Sequence, residues 1–175
     1  YIPYILFLIL MLMIGLNSRF VLGVAWHFWY GDHLEWHGIN VRLSNREFFP
    51  PYSKTNDTLT IDDWSYQDAH IMIRSDARTS AEQKYIINKL CSTGVCLQTS
   101  EKSYLVNNRN VSVLTYSEKS DLSDISIFHQ DVLIDDGIAW IQFIGSESRY
   151  VYHKLTIDAL VQVIANAERG THSQN

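Results

Sequence analysis

The hydrophobic pattern divides the chain in two. Positions 2–16 are apolar almost without interruption and carry no charge, whereas beyond about position 33 apolar residues recur with the periods of strands and helices. The opening run predicts a helix that is greasy on every face. Residues 1–18, at about 1.5 Å each, cover roughly 27 Å, a little under the roughly 30 Å hydrocarbon core of a bilayer. Arg19 ends the run on a stem long enough to reach headgroups, and Trp26, Phe28, Trp29, Tyr30 and Trp36 follow as an interfacial aromatic belt. The next basic residue after Arg19 is Arg42, so the positive-inside tendency turns this flank away from the cytoplasm. We therefore expect a transmembrane signal anchor and flank over 1–25, an extracytoplasmic domain over 26–170 and a tail over 171–175. Because the chain opens on Tyr rather than Met, an upstream piece carrying the basic flank is also expected.

Two rival readings of the opening run are weaker. A signal peptide cut at Gly23-Val24-Ala25 would separate its apolar core from that site by Arg19 and the bulky Phe20, Val21 and Leu22. A buried helix of a soluble domain, apolar all round, would need a larger core than this chain can build.

In the second part, Leu34 and Trp36, then Ile39, Val41 and Leu43, alternate with polar residues around Gly38, which predicts a hairpin. Pro50-Pro51 enforces an extended loop, and short strands are expected at 59–61 and 70–74. Thr79-Ser-Ala-Glu82 has capping-box spacing ahead of a helix whose buried stripe is Ile86, Ile87 and Leu90, with Gly94 just past its end. Strands are predicted at 103–106, 111–116, 125–130, 132–135 and 138–144, with turns at Asn107-Asn108-Arg109-Asn110 and Asp136-Gly137. A last helix is read as capped by Thr156, with Ile157, Leu160, Val161 and Ile164 on its one apolar face. The sum is α+β: an N-terminal transmembrane helix, then an antiparallel sheet with a mid-chain helix and a C-terminal helix packed on it.

Composition narrows the function. About 150 residues beyond the anchor suffice for one domain with a core. The net charge of −5 and the scattered Lys and Arg argue against nucleic acid and against acidic lipid surfaces. Cys91 and Cys96, with four residues between them, read as a disulfide in an exported domain. A redox dithiol favours two intervening residues, and a metal site lacks nearby His.

The hydrophobic leader, the aromatic hairpin Trp36-His37-Gly38-Ile39, the run of strands and the closing helix after Ile141-Gln142-Phe143-Ile144-Gly145 together resemble small anchored bacterial envelope proteins of unassigned function. Over about 34–167 the order of elements is also similar to the PsbP-like α/β sandwich of photosystem extrinsic subunits and bacterial envelope lipoproteins. That resemblance implies a non-catalytic binding or assembly module. The lipoprotein cysteine of many such proteins is absent here, and no site residue transfers.

Candidate chemistry is sparse. His27, His33 and His37 lie close in sequence, with Asp32 and Glu35 as oxygen donors for a metal, but in a hairpin positions 33 and 37 stand about 13 Å apart along one strand. Ser126, His129 and Asp131 have triad residue types, yet 126 and 129 point to opposite faces of a strand. The acidic pairs Asp62-Asp63 and Asp135-Asp136 read as solvated turn residues. Tyr52, Trp64, Tyr66 and Tyr104, in or beside polar stretches, form the expected binding surface. The expectation is a single-pass inner-membrane protein with its domain in the periplasm or extracellular space. Its expected partners are membrane lipid, through the N-terminal helix, and an envelope protein, with no cofactor and no nucleic acid. An exported hydrolase and a metal-binding envelope protein are the alternatives.

Overall fold

A computed structural model describes residues 2–16, 18–36, 39–49, 58–65, 69–74, 79–119, 126–135 and 139–166. The apolar opening forms not one helix but two, α1 (Ile2–Leu16) and α2 (Ser18–Tyr30). Among the described residues no single helix is long and apolar enough to cross a membrane; α1 and α2 qualify only together, and they are bent by 83°. α2 belongs physically to the folded part. Arg19 Nη2 donates to Asp62 at 3.2 Å, the Phe20 ring meets Trp64 edge-on at 4.8 Å, and His27 reaches the Glu47 carbonyl. Gly23 is buried against the Trp64 side chain, at a distance where even an added Cβ would make only ordinary contact.

The hairpin predicted from alternation is present as β1 (His33–Trp36) and β2 (Ile39–Arg42), with Leu34 opposite Val41 and Trp36 opposite Ile39. It stands apart from the main sheet. That sheet contains β3 (Glu47–Phe48), β4 (Thr58–Asp63), β5 (His70–Arg74), β6 (Cys96–Val106), β7 (Arg109–Lys119), β8 (Ser126–Ile134) and β9 (Ala139–Gly145), in the order β3-β4-β5-β9-β8-β7-β6. Every pairing is antiparallel. Two meanders, β3 to β5 and β6 to β9, join where Ile71 faces Phe143 and Ile73 faces Ile141. The turn between β6 and β7 is tighter than the expected 107–110: Asn107 and Asn108 alone make it, at φ 49° and 62°, and Arg109 and Asn110 already pair in β7. Asp136-Gly137 lies outside the described residues.

Helices cover both sheet faces, giving the expected α+β architecture. α3 (Ser80–Ser92) carries the capping box, with Thr79 and Glu82 each accepting from the other's backbone N–H. It buries Ile87 against Leu114, Tyr116, Leu133 and Trp140. Ile86, expected in that stripe, is exposed; Gln83 takes its place. α4 (Glu147–Asn166) lies on the other face with the β1–β2 hairpin, and its Ile157, Leu160 and Ile164 enter the main core. Burying side chains of this size contributes about 1.5–3 kcal/mol each.

Cys91, at the end of α3, and Cys96, at the start of β6, are bonded, with 4.4 Å between their Cα atoms. The bridge staples helix to sheet. Its loop is short, so changing both cysteines to serine should cost about 2 kcal/mol. Thermal unfolding of the oxidised protein and of that variant measures the difference, and equal midpoints would remove the bridge from any account of stability.

Three expectations fail for one shared reason. The two strands expected over 125–130 and 132–135 are not separate, because β8 runs continuously from Ser126 to Ile134 through Asp131. The last helix starts at Glu147 rather than Thr156, and Thr156 is buried in its middle. Asp62-Asp63 is not a solvated turn but the end of β4, with Asp63 fully buried. In each case a polar residue that breaks the local pattern has a buried partner.

Candidate functional site

β3 pairs Glu47 opposite Asp63 of β4, placing two carboxylates side by side under α4. Between them stands His153 of α4, 2% exposed. Its Nδ1 lies 2.7 Å from Glu47 Oε1 and its Nε2 3.0 Å from Asp63 Oδ2. Both ring nitrogens face carboxylate oxygens, so both donate and the ring is held as imidazolium. Burial alone would push the His153 pKa down; the hydrogen bonds to Asp63 and Glu47 override it and raise it to about 9. Burial likewise pushes the Asp63 carboxyl up, but His153 and the Ser65 amide and hydroxyl hold it below the usual value. Glu47 also accepts from the Thr156 hydroxyl at 2.7 Å and the Ser44 amide at 3.0 Å. His27 Nε2, on α2, donates to the Glu47 carbonyl at 2.7 Å. One polar knot therefore ties α2, β3, β4 and α4 together.

Two concavities flank this knot. A cleft of about 500 Å³ opens over it, lined by Asp32, Arg42, Ser44, Arg46, Tyr152 and His153. Arg42 Nη2 is 3.4 Å from Asp32, and the Arg46 guanidinium sits 4.8 Å from the Tyr152 ring centroid. Arg149 approaches the same ring at 5.8 Å. The second is a groove of about 710 Å³ between α2 and β1, lined chiefly by Leu22, Trp26, Trp29, Tyr30, Leu34 and Phe49.

A second buried hub lies on the α3 face. Asp131, fully buried, accepts from Gln83 Nε2 at 2.6 Å and Gln142 Nε2 at 2.8 Å. Next to it His129 stacks on Tyr116 with centroids 4.5 Å apart. Burial pushes His129 down, against the pull of Glu118, and pushes Tyr116 up. Ser126 is exposed, three residues along β8 from His129 and so on the opposite face, and no triad forms. Gln83→Leu should cost roughly 2 kcal/mol by removing a donor from a buried carboxylate. Chemical denaturation checks this, and a loss under a few tenths of a kcal/mol would mean that Gln142 suffices.

Of the four residues of the expected aromatic surface, only Trp64 and Tyr104 are among the described residues. Trp64 is spent on docking α2, and its Nε1 donates to the Asn45 carbonyl at 2.9 Å. Tyr104 is 44% exposed on β6, at the far edge of the sheet from β3 and β4. Tyr52 and Tyr66 lie outside the described residues. Among the described residues no group of three or more His, Cys, Asp or Glu is arranged to hold a metal ion. His37 lies outside them, and His33 sits on the exposed side of β1. Sequence reasoning passed over Glu47, His153, Arg42 and Arg46. Only Ser146-Glu147, a good helix start, hinted that His153 and Thr156 share an interior helical face.

No protein-family model and no curated protein matches the chain. Among solved structures, the chain is similar to the crystal structure of PA94, a protein of unknown function from Pseudomonas aeruginosa, at 9% identity and a TM-score of 0.44. The match covers 74% of this chain and 92% of that one.

Proposed function

We propose that the protein is a membrane-anchored, extracytoplasmic binding or assembly module of the cell envelope, with α1 in the bilayer and α2 along its surface. The observation that carries this reading is α1 itself. Its large side chains from Ile2 to Met13 are all 49–74% exposed. Removing so much apolar surface from water is worth on the order of 20 kcal/mol, far more than a domain's whole stability. At fifteen residues α1 is about 22 Å long, short of the hydrocarbon thickness, a mismatch that local thinning of the bilayer accommodates.

α2 supports the same reading. Arg19, Gly23, Trp26 and His27 face the domain, while Val21, Val24 and Phe28, at i, i+3 and i+7, are exposed on the other side. Phe28, Trp29 and Tyr30 end the helix as an uncovered aromatic cluster, the residue class that settles at headgroup level. The disulfide supports an oxidising compartment. One antiparallel sheet layered between α3 and α4 supports placing the domain with PsbP-like sandwiches. The test is fractionation: the full chain stays with membranes through high-salt and alkaline carbonate washes, and its thiols resist maleimide until reduced. Recovery in the soluble fraction with both thiols reactive would overturn the reading.

A further inference from the structure

The aromatic groove and the arginine cleft share a wall. His33 lines the groove and Arg42 lines the cleft, and the two are cross-strand partners in the β1–β2 hairpin. Directly opposed residues in an antiparallel pair stand only about 5 Å apart, so apolar and cationic concavities meet at that rung. The volumes, about 710 and 500 Å³, fall within the range typical of small-molecule sites. The groove offers indole, phenol and aliphatic surface, with His33 and Glu35 along its β1 wall; the cleft offers the Arg42 and Arg46 guanidinium groups, with the Asp32 carboxylate beside Arg42. The chain's net charge of −5 argues against acidic lipid surfaces in general, but Arg42 and Arg46 make this one cleft an exception. Arg42 is aimed by Asp32, and Arg46 is steadied over Tyr152, a cation–π arrangement that leaves its N–H fork available to an anion. Leu22 and Trp29 line the groove and are also exposed on α2, so the groove is continuous with that helix's outer surface.

We propose that groove and cleft together bind one anionic phospholipid, its acyl chain along Trp26, Trp29 and Phe49 and its phosphate against Arg42 and Arg46. The proposal rests on the membrane reading for its lipid supply and for nothing else. Charge complementarity selects an anionic head, and continuity with the exposed face of α2 supplies the route for the chain. The arginine fork matches phosphate oxygens two at a time, which sets it apart from a diffuse basic patch.

The test uses the full chain in a neutral detergent, titrated calorimetrically with dihexanoyl phosphatidylglycerol below its micelle concentration. Dihexanoyl phosphatidylcholine and inorganic phosphate are titrated in parallel. We expect saturable binding of one phosphatidylglycerol, at least tenfold weaker binding of phosphatidylcholine, and no saturation by millimolar phosphate. Arg42→Gln with Arg46→Gln should cut phosphatidylglycerol affinity at least tenfold and erase the preference. Trp29→Ala should weaken both lipids alike. Both arginines are exposed, so circular dichroism should be unchanged, and Arg46→Lys provides a milder variant that retains charge. Equal affinity for the two lipids, or unaltered binding in the folded double variant, overturns the proposal. Phosphate binding as tightly as the lipid overturns it too, because the cleft would then serve a free anion. If the unaltered chain fails to stay with membranes yet binds the short-chain lipid, the site stands and the anchoring falls.

Discussion

Replacing His153 with glutamine is expected to destabilise the protein by about 3–5 kcal/mol, because it leaves two buried carboxylates facing a neutral side chain. For a chain of this size that corresponds to a drop in melting temperature on the order of 10 °C. The same network should give the unaltered protein a distinctive pH dependence. His153 titrates near 6.5 when unfolded and at about 9 when folded. A raised folded pKa stabilises most below the unfolded value, so its contribution, roughly 3 kcal/mol, is complete below pH 6.5 and disappears as pH rises through about 9. Asp63 acts in the opposite sense on the acid side. Its depressed pKa stabilises above the ordinary carboxylate range and is lost as pH falls through the lowered folded value. Thermal melts of both proteins between pH 2 and 10 measure this. A flat profile for the unaltered chain between 6.5 and 9, or a His153→Gln midpoint equal to it, would show that the imidazolium does not hold the knot.

Changing Leu6 and Leu10 together to lysine is expected to detach the protein from bilayers. Each charge in the middle of an inserted helix costs about 2.5–3.5 kcal/mol, so the pair should reduce partitioning by roughly four orders of magnitude. Flotation with neutral phosphatidylcholine vesicles reads this directly, since neither protein then gains from lipid charge. The folded domain should be untouched, because among the described residues α1 supplies none of the main core. Its melting temperature and its binding of short-chain lipid therefore act as internal controls. Co-flotation of the double-lysine variant would mean that α2, with Val21, Val24 and Phe28, carries the attachment instead. That result would reassign the anchor.

Much of the architecture was legible because local signals and tertiary packing agree. The capping box at Thr79 and Glu82, the alternation around Leu34 and Val41 and the Asn107-Asn108 turn each specify backbone geometry through nearest neighbours. The candidate site was not legible. Glu47, Asp63 and His153 are 16 and 90 positions apart along the chain, and each alone has the look of an ordinary surface residue. Only the pairing of β3 with β4 and the docking of α4 make them a unit. Thr156 shows the cost of local reasoning: its hydroxyl suits a helix cap, yet it donates to Glu47 from the interior of α4. Asp131 misled in the same way, interrupting an apolar strand pattern because two distant glutamines satisfy it.

By itself the sequence determined the α+β class, the hairpins, the mid-chain helix and the pairing of its only two cysteines, all of which follow from periodicity and short-range geometry. It also determined that the first sixteen residues have no polar face. The tertiary structure alone decided that α2 docks on the domain instead of extending α1, that one imidazolium sits between two carboxylates, and that an aromatic groove adjoins an arginine cleft. The physical reason is that burial and ion pairing depend on three-dimensional distance, which no local window of sequence encodes.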